Sequence, residues 1–264
     1  MLEVKTYSEL HDFVKAFAKK QLNFLTIVGK GGLGKSYIVE NALIETGPLI
    51  FSAHVTPLKM YLELFERNLE ERDFIVVFDD VDALMLNKTN IALLKQICDT
   101  RNEKIVKYFT TTPILKDIPN EFRTNCKVVM LMNNLEPEEP NLKALMTRAH
   151  LIYFNPPDIE ILNYMKTFAK DQEILGFIER FAHFSKNLNL RVYVRAKELK
   201  DSGLDWKKEV ISELKVDPRL LEIHDLLKKY QTDKEREEHF SQSKATYWRL
   251  KRVYLSKNPV SVSR

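Results

Sequence analysis

The sequence predicts an α/β fold in which a parallel sheet flanked by helices is followed by an all-helical C-terminal part. Residues 24–27 form an apolar run that leads into a glycine-rich loop and then into a helical pattern over 37–43. Residues 74–78 are apolar and end in carboxylates, which is typical of a buried parallel strand with a ligand site at its tip. After a double proline at 156–157, apolar residues recur at helical spacing over 158–170, 172–184 and 190–200.

The glycine-rich loop over 28–36 has the sequence Val-Gly-Lys-Gly-Gly-Leu-Gly-Lys-Ser and holds four of the seven glycines of the chain. It matches G-x-x-x-x-G-K-[ST] between a strand and a helix. In that context backbone N–H groups wrap a phosphate, the lysine reaches the outer phosphates and the hydroxyl coordinates Mg²⁺. A glycine turn without a ligand is the alternative, and the flanking strand and helix argue against it. The predicted nucleotide-binding residues are Gly29, Lys30, Gly31, Gly32, Leu33, Gly34, Lys35, Ser36 and Tyr37.

The carboxylates after residue 78 have the pattern of a Walker B motif. Asp79 is expected to hold Mg²⁺ through water, and Asp80 stands where many relatives carry a glutamate that polarises the attacking water. Aspartate is one methylene shorter than glutamate, so Asp82 is an alternative base. A later apolar run, 126–132, ends in Asn133, whose amide can orient water beside a γ-phosphate; asparagine also commonly ends strands.

Charge and cysteine content narrow the class of protein. The chain has 264 residues and a formal net charge of +4, but no acidic residue follows Glu238 and six basic residues do. Positive charge is therefore concentrated at the C-terminal end. The two cysteines, Cys98 and Cys126, lack the spacing of a zinc site or a disulfide framework. With a polar N-terminus and no apolar run of membrane-spanning length, we expect a cytoplasmic protein without membrane partners.

The order of these motifs over residues 1–202 resembles that of the AAA+ ATPases, a class of P-loop NTPases. The resemblance implies an ATP- and Mg²⁺-dependent ATPase core over 1–155 and a helical lid over 156–202. It implies that Asn133, or its neighbour Asn134, is sensor 1. Arg148 falls where the family places an arginine finger, which would complete the ATP site of a neighbouring subunit and require a homo-oligomer, either a ring or a helical filament. An arginine at a helix C-terminus that satisfies the helix dipole is the alternative.

The same resemblance assigns the sensor 2 arginine of the lid. Arg191 matches that position at the start of the third lid helix, with Arg195 as the second candidate. A sensor 2 arginine reaches from the lid toward the γ-phosphate, so the lid is expected to close on nucleotide.

The C-terminal segment, 203–264, is predicted to be a small basic helical module. A helix, the short turn 241–243 and a basic helix over 244–254 have the layout of a helix-turn-helix. Docking of this helix on another subunit is the alternative. The apolar residues expected to pack are Ala245, Trp248, Leu250 and Val253. The residues expected to contact DNA are Lys244, Thr246, Tyr247, Arg249, Lys251 and Arg252.

Three functions remain open at this stage. The first is an AAA+ ATPase that acts on DNA and resembles replication initiators, helicase loaders and transposition regulators, including those of phages and mobile elements. Its client would be a helicase, a transposase or another protein. The second is a STAND-type signalling switch, and the third is a DNA-binding regulator in which nucleotide only sets the oligomeric state. Slow hydrolysis, with Asp80 in place of a glutamate, would suit the third function.

Overall fold

The chain divides into two compact units, residues 1–157 and residues 158–264. The computed structural model describes residues 1–52, 55–80, 88–110, 112, 118–134 and 140–257. Among these residues, no helix has the length and apolar character needed to cross a membrane.

A parallel sheet forms the centre of the first unit, as the sequence predicts. Its strands lie in the order β1 (Leu2–Val4), β8 (His150–Phe154), β2 (Phe24–Val28), β7 (Lys127–Met132), β4 (Ile75–Asp79) and β3 (Leu49–Ser52), and all neighbours are parallel. β7 therefore lies between β2 and β4, although it follows both in the chain. Two further strands of this unit lie outside this sheet, β5 Lys104–Lys107 and β6 Glu121–Thr124.

Helices cover this sheet and begin at recognisable signals. A capping box formed by Thr6 and Glu9 starts the first helix, and Thr56 caps the third, whose first residue is Pro57. The helices of the first unit are α1 Tyr7–Ala18, α2 Lys35–Leu43, α3 Pro57–Glu70, α4 Lys88–Ile97 and α5 Pro140–Met146, with a short 3₁₀ turn at Ile44–Thr46.

The core of the first unit lies around the central strands. Every residue of β2 and β7 is buried, and in β4 only Asp79 is partly exposed. These apolar runs suit strands that are covered on both faces. Each large apolar side chain removed from water stabilises the fold by roughly 1.5–3 kcal/mol, so the strands that carry the site form a rigid base for it.

The sequence over 118–122, with Pro119 and Asn120, predicts a loop, but the structure forms a strand at the end of this segment. β6 begins at Glu121 and pairs antiparallel with β5 to form a separate hairpin. The side chain of Phe122, in β6, is buried, and Glu121 forms an ion pair with Lys107 of β5 at 3.0 Å. The side chain of Lys104 is also buried, its ammonium donates to the Cys126 carbonyl, and burial lowers the pKa of this lysine.

Helices joined by short turns make up the second unit, and no strand occurs among its described residues. Within it α8 (Arg191–Asp201) packs against α9 (Trp206–Glu213), and α10 (Pro218–Lys229) packs against α12 (Lys244–Lys257). Its core includes His224, whose Nδ1 lies 2.7 Å from the Tyr254 hydroxyl; burial, with nearby Lys228, Arg180 and Lys207, lowers the pKa of His224 to about 3. The division at 202–203 lies inside this unit and stays a prediction. The helices are α6 Asp158–Phe168, α7 Gln172–Ala182, α8 Arg191–Asp201, α9 Trp206–Glu213, α10 Pro218–Lys229, α11 Asp233–His239 and α12 Lys244–Lys257.

Candidate functional site

The glycine loop joins β2 to α2 and rests against the neighbouring strands. The Gly29 N–H donates to the Met132 carbonyl at the end of β7 at 3.1 Å. A Cβ at Gly29 would lie only 2.4 Å from the carbonyl oxygen of Phe154 in β8, so no side chain fits there. Gly32 and Gly34 have φ of +82° and +81°, a region that favours glycine. Three of the four glycines are thus required by the backbone path.

The N-terminus of α2 suits an anion. Its N-cap residue, Gly34, supplies no side-chain hydrogen bond, and the first turn contains no acidic residue. The first N–H groups of a helix lack intrahelical acceptors and carry the positive end of the dipole, and here the first residue is Lys35, which adds a further positive charge. A phosphate would satisfy all of these groups. The residues present therefore fit the nucleotide that the motif implies.

The Lys35 ammonium is held inside the loop. It donates to the carbonyls of Gly29 at 2.6 Å and Lys30 at 2.9 Å, and to Oδ1 of Asn133 at 3.3 Å. The lysine is 6% exposed. From α1, the Tyr7 hydroxyl donates to the Leu33 carbonyl at 3.2 Å and fixes the far side of the loop. Sequence reasoning missed this contact of Tyr7, which no local motif could reveal.

The Ser36 hydroxyl donates to Oδ1 of Asp79 at 2.9 Å. Ser36 lies in the first turn of α2 and Asp79 ends β4, so a hydroxyl and a carboxylate oxygen meet beside the phosphate loop. Oxygen ligands of this kind suit Mg²⁺, which is usually held by one or two protein groups together with substrate phosphates. Among the described residues, no cluster of three or more acidic, histidine or cysteine side chains could hold a metal ion by itself.

Asn133 connects the lysine to the second carboxylate. Its Nδ2 donates to Oδ1 of Asp80 at 3.1 Å, while its Oδ1 accepts from Lys35. Asp80 has φ of +55°, which is uncommon for a residue other than glycine and often marks a functional position. The position of β7 between β2 and β4 explains the meeting of these groups, because Asn133 directly follows β7. Asp82, the alternative base, lies outside the described residues.

The other nucleotide-contacting residues predicted from the motif lie on the outer side of the loop. Lys30 and Gly31 are exposed, and Tyr37, in the first turn of α2, is 66% exposed. Asn134 is exposed next to Asn133. Within the described part of the chain, neither Tyr37 nor Asn134 forms a hydrogen bond with the lysine or the carboxylates.

Arg148 lies two residues before β8. Its Nη1 donates to the Lys95 carbonyl at 2.6 Å, which is one of the last carbonyls of α4. The side chain therefore satisfies a helix C-terminus, but that of α4 rather than of α5, the helix that precedes it. Its role at the site of a neighbouring subunit stays a prediction.

Arg191 and Arg195 both lie on α8 in the second unit. Arg191 is its first residue and is exposed, and its backbone N–H donates to Oδ1 of Asn189 at 3.0 Å. The Arg195 guanidinium forms an ion pair with Glu213. Because Arg195 is already paired, Arg191 is the better candidate for sensor 2, and this role stays a prediction.

The C-terminal basic helix, α12, follows α11 after a short turn, and Ser243 caps it through a hydrogen bond from the Thr246 N–H at 3.4 Å. Its packing differs from the prediction. Tyr247, expected to contact DNA, is fully buried and donates to Asp233 at 2.8 Å. Trp248 and Val253, expected to pack, are 45% and 42% exposed.

Acidic side chains of α11 account for the face of α12 that is buried. Asp233 accepts from Tyr247 and Lys251, and Glu237 forms an ion pair with Lys244 at 3.0 Å. Lys244 and Lys251, both expected to contact DNA, are therefore paired within the unit. Of the predicted contacts, Arg249 and Arg252 are exposed and Thr246 is partly exposed.

The strand order, the phosphate loop and the helical second unit form an α/β P-loop fold followed by helices, which is the fold class that the sequence predicts. Among solved structures the chain is similar to the RuvB Holliday junction branch migration motor of Thermotoga maritima, with 15% identity, a TM-score of 0.50, and coverage of 95% of this chain and 86% of that one. It is also similar to the Orc1 protein of Aeropyrum pernix in complex with DNA, with 14% identity, a TM-score of 0.48, and coverage of 97% and 84%.

No protein-family model matches the sequence, and no curated protein matches it. At such low identity the similarity to RuvB is evidence about the fold. The activity must be argued from the site itself.

Proposed function

We propose that the chain is a Mg²⁺-dependent ATPase of the AAA+ type that assembles into a homo-oligomer and acts on DNA. The observation that carries the ATPase proposal is the hydrogen-bonded series Lys35–Asn133–Asp80 beside the Ser36–Asp79 pair. These groups come from one helix, α2, and from the ends of two neighbouring strands, β4 and β7. They meet around a loop whose helix N-terminus suits phosphate.

Each residue has a role that follows from its position. Lys35, now bound to loop carbonyls, exchanges these neutral acceptors for phosphate oxygens, which form stronger charge-assisted hydrogen bonds. Ser36 and Asp79 hold Mg²⁺, which neutralises charge that develops on the phosphates. Asp80 accepts a proton from, or polarises, the attacking water, and Asn133 holds the carboxylate of Asp80 in place.

Arg148 is proposed as the arginine finger. To act on a neighbouring subunit, its guanidinium must leave or share the Lys95 carbonyl, which it now contacts at 2.6 Å. A neighbouring nucleotide offers an anionic acceptor in exchange, and a bidentate pair between guanidinium and phosphate is stronger than a single bond to a neutral carbonyl. Arg191 is proposed to report on the γ-phosphate from α8. Hydrolysis would then require an oligomer, either a ring or a filament.

DNA is the proposed partner of α12. Three observations support this proposal: the excess of basic over acidic residues after Glu238, the helix-turn-helix layout of α11 and α12, and the exposed Arg249 and Arg252. The structural neighbour RuvB is described as a Holliday junction branch migration motor, which makes DNA the first substrate class to test. Within this class, roles in replication initiation, helicase loading or transposition are candidates, each with a helicase, a transposase or another protein as client.

A DNA-binding regulator is the second candidate function. Asp80 is shorter than the glutamate of many relatives, and its carboxylate is already bound by Asn133. Slow hydrolysis would then let nucleotide set the oligomeric state without steady turnover.

The ATPase rate per subunit, measured against protein concentration with and without single- and double-stranded DNA, tests the proposal. A rate that rises with concentration and again with DNA supports an assembling, DNA-stimulated ATPase. A flat rate near zero with tight nucleotide retention supports the regulator. The variant Lys35→Ala serves as the control, because turnover that persists in it comes from a contaminant.

A further inference from the structure

Trp248 is an exposed tryptophan on the helix proposed to bind DNA. We infer that it is a stacking platform for an unpaired nucleobase and that Arg249 and Arg252 bind the phosphates beside that base. The inference rests on the proposed DNA-binding role of α12 and adds a strand preference to it, namely single-stranded or locally unpaired DNA.

The indole of Trp248 is held in one orientation. Its Nε1 donates to Oε1 of Glu237 at 2.6 Å, the Lys251 ammonium lies 4.8 Å from the ring centroid, and the Tyr247 ring packs against it edge-on at 5.5 Å. The residue is nevertheless 45% exposed. A side chain fixed in this way loses little rotamer entropy when a ligand binds, which favours binding.

The contacts of the indole determine what it can offer. Its only hydrogen-bond donor is occupied by Glu237, so the ring cannot recognise a base edge through Nε1. The remaining exposed surface is aromatic, and an aromatic face binds bases of any sequence by stacking. Bases in a duplex are stacked on one another, so only an unpaired base presents its face to a protein ring.

The charges around Trp248 favour a polyanion. Glu237 is paired with Lys244, and Asp233 with Lys251. These acidic groups are thus neutralised within the unit. Asp217 forms an ion pair with Arg219 at 2.6 Å. The hydrogen bond from Arg219 lowers the pKa of Asp217, and the charge of Arg249 lowers it further.

Arg249 and Arg252 lie one and four positions after Trp248, so Arg252 is one helical turn further along the same side. Both arginines are exposed. Neither has a hydrogen bond or an ion pair among the described residues. Two such guanidinium groups next to an exposed ring suit a strand whose phosphates alternate with bases.

The test measures the affinity of the full-length protein for labelled oligothymidylate and for a labelled, fully paired blunt-ended duplex by fluorescence anisotropy. Trp248→Leu removes the aromatic face but keeps an apolar side chain. We expect it to weaken oligothymidylate binding by about tenfold and to leave duplex binding unchanged. Val253→Ala, which shortens an equally exposed apolar residue of the same helix, should change neither affinity.

Tryptophan emission supplies a second measurement, which can be made on the unmodified protein. The other tryptophan of the chain, Trp206, is 7% exposed in α9. Stacking on Trp248 should quench emission when oligothymidylate is added, and the quenching should disappear in Trp248→Leu. The duplex should quench little.

Separate outcomes overturn the two proposals. If Trp248→Leu weakens both DNA forms equally, or if saturating oligothymidylate leaves the emission unchanged, the stacking platform is wrong while the DNA role stands. If the double variant Arg249→Ala/Arg252→Ala binds both DNA forms as the unmodified protein does, α12 is not the DNA surface. Absence of binding to either form by the unmodified protein overturns both proposals.

Discussion

Replacing Asn133 by alanine isolates the step that the site geometry assigns to it. The variant loses the 3.1 Å hydrogen bond to Asp80, whose acceptor is a carboxylate. Charge-assisted bonds of this kind contribute about 1.5–3 kcal/mol, and if that amount stabilises only the transition state, kcat falls roughly 10- to 150-fold. Loss of the 3.3 Å hydrogen bond from Lys35 to Asn133 adds little to the expected fall in kcat, because in the nucleotide complex the lysine is expected to bind phosphate instead.

The neighbouring residue supplies a matched control. Asn134→Ala removes the same side chain one position later, where no contact to Lys35 or Asp80 is seen among the described residues. Steady-state ADP release at saturating ATP and Mg²⁺ gives kcat, and a fluorescent ATP analogue gives the nucleotide affinity. We expect lower kcat and unchanged affinity in Asn133→Ala alone. Equal losses in both variants, or a loss of affinity without a loss of kcat, would refute the reasoning.

Further variants test other parts of the structure. Lys35→Ala should abolish binding of the ATP analogue, whereas Asp79→Ala should retain binding and lose Mg²⁺-dependent turnover. Arg148→Ala should bind nucleotide but not turn over, and activity should return on mixing with Asp79→Ala, since each variant supplies the part that the other lacks. Gly29→Ala places a Cβ 2.4 Å from a β8 carbonyl oxygen and should destabilise the fold by about 1–3 kcal/mol in urea unfolding. Asp233→Asn should lower the stability of the second unit at pH 7, with the difference disappearing below about pH 2.

The sign of the last prediction follows from the pKa of Asp233. Burial alone raises it, but hydrogen bonds from Lys251, Tyr247 and Arg236 bring it down to about 2. An unfolded aspartate titrates at about 3.9, so folding stabilises the charged form of Asp233. This stabilisation is complete above the unfolded pKa and is lost as the pH falls through the folded one. Acid unfolding followed by circular dichroism, from neutral pH to below pH 2, measures the difference.

The remaining variants have their own controls. Gly176 lies in α7, and apart from its chain neighbours and the backbone of its own helix, no atom of the described residues lies within 4 Å of the place that a Cβ would take. Gly176→Ala should therefore leave stability unchanged or raise it by up to about 1 kcal/mol. A similar loss in Gly29→Ala and Gly176→Ala would contradict the steric argument. Failure of the mixed Arg148→Ala and Asp79→Ala proteins to recover activity would contradict the shared site.

Features encoded in contiguous residues were predictable from the sequence. The α/β class and the parallel sheet are confirmed, because apolar runs and a glycine loop are local signals. The order of the strands was not predictable, since the insertion of β7 between β2 and β4 depends on pairing between distant segments. That insertion is what brings Asn133 to Lys35 and Asp80. β6 escaped prediction because its four residues carry too short a pattern for periodicity to be seen.

The packing of α12 shows a second kind of limit. Tyr247 and Trp248 are adjacent aromatic residues of similar amphipathic character, so the helix alone does not determine which of them is buried. Asp233 and Glu237 on α11 decide it by accepting from Tyr247 and Trp248 respectively. The relevant signal, two carboxylates four positions apart, is present in the sequence but is typical of any solvated helix.

The fit of Gly29 against β8 also determines which parts of the phosphate loop can vary. β8 is held on both sides, by β1 and β2, so it cannot move aside to admit a side chain at position 29. One residue later the loop faces solvent, and Lys30 is exposed. A saturation library over this loop would therefore tolerate almost any residue at 30 and only glycine at 29. The first residue of the loop after β2 is packed against the sheet, whereas the next two residues are exposed to solvent.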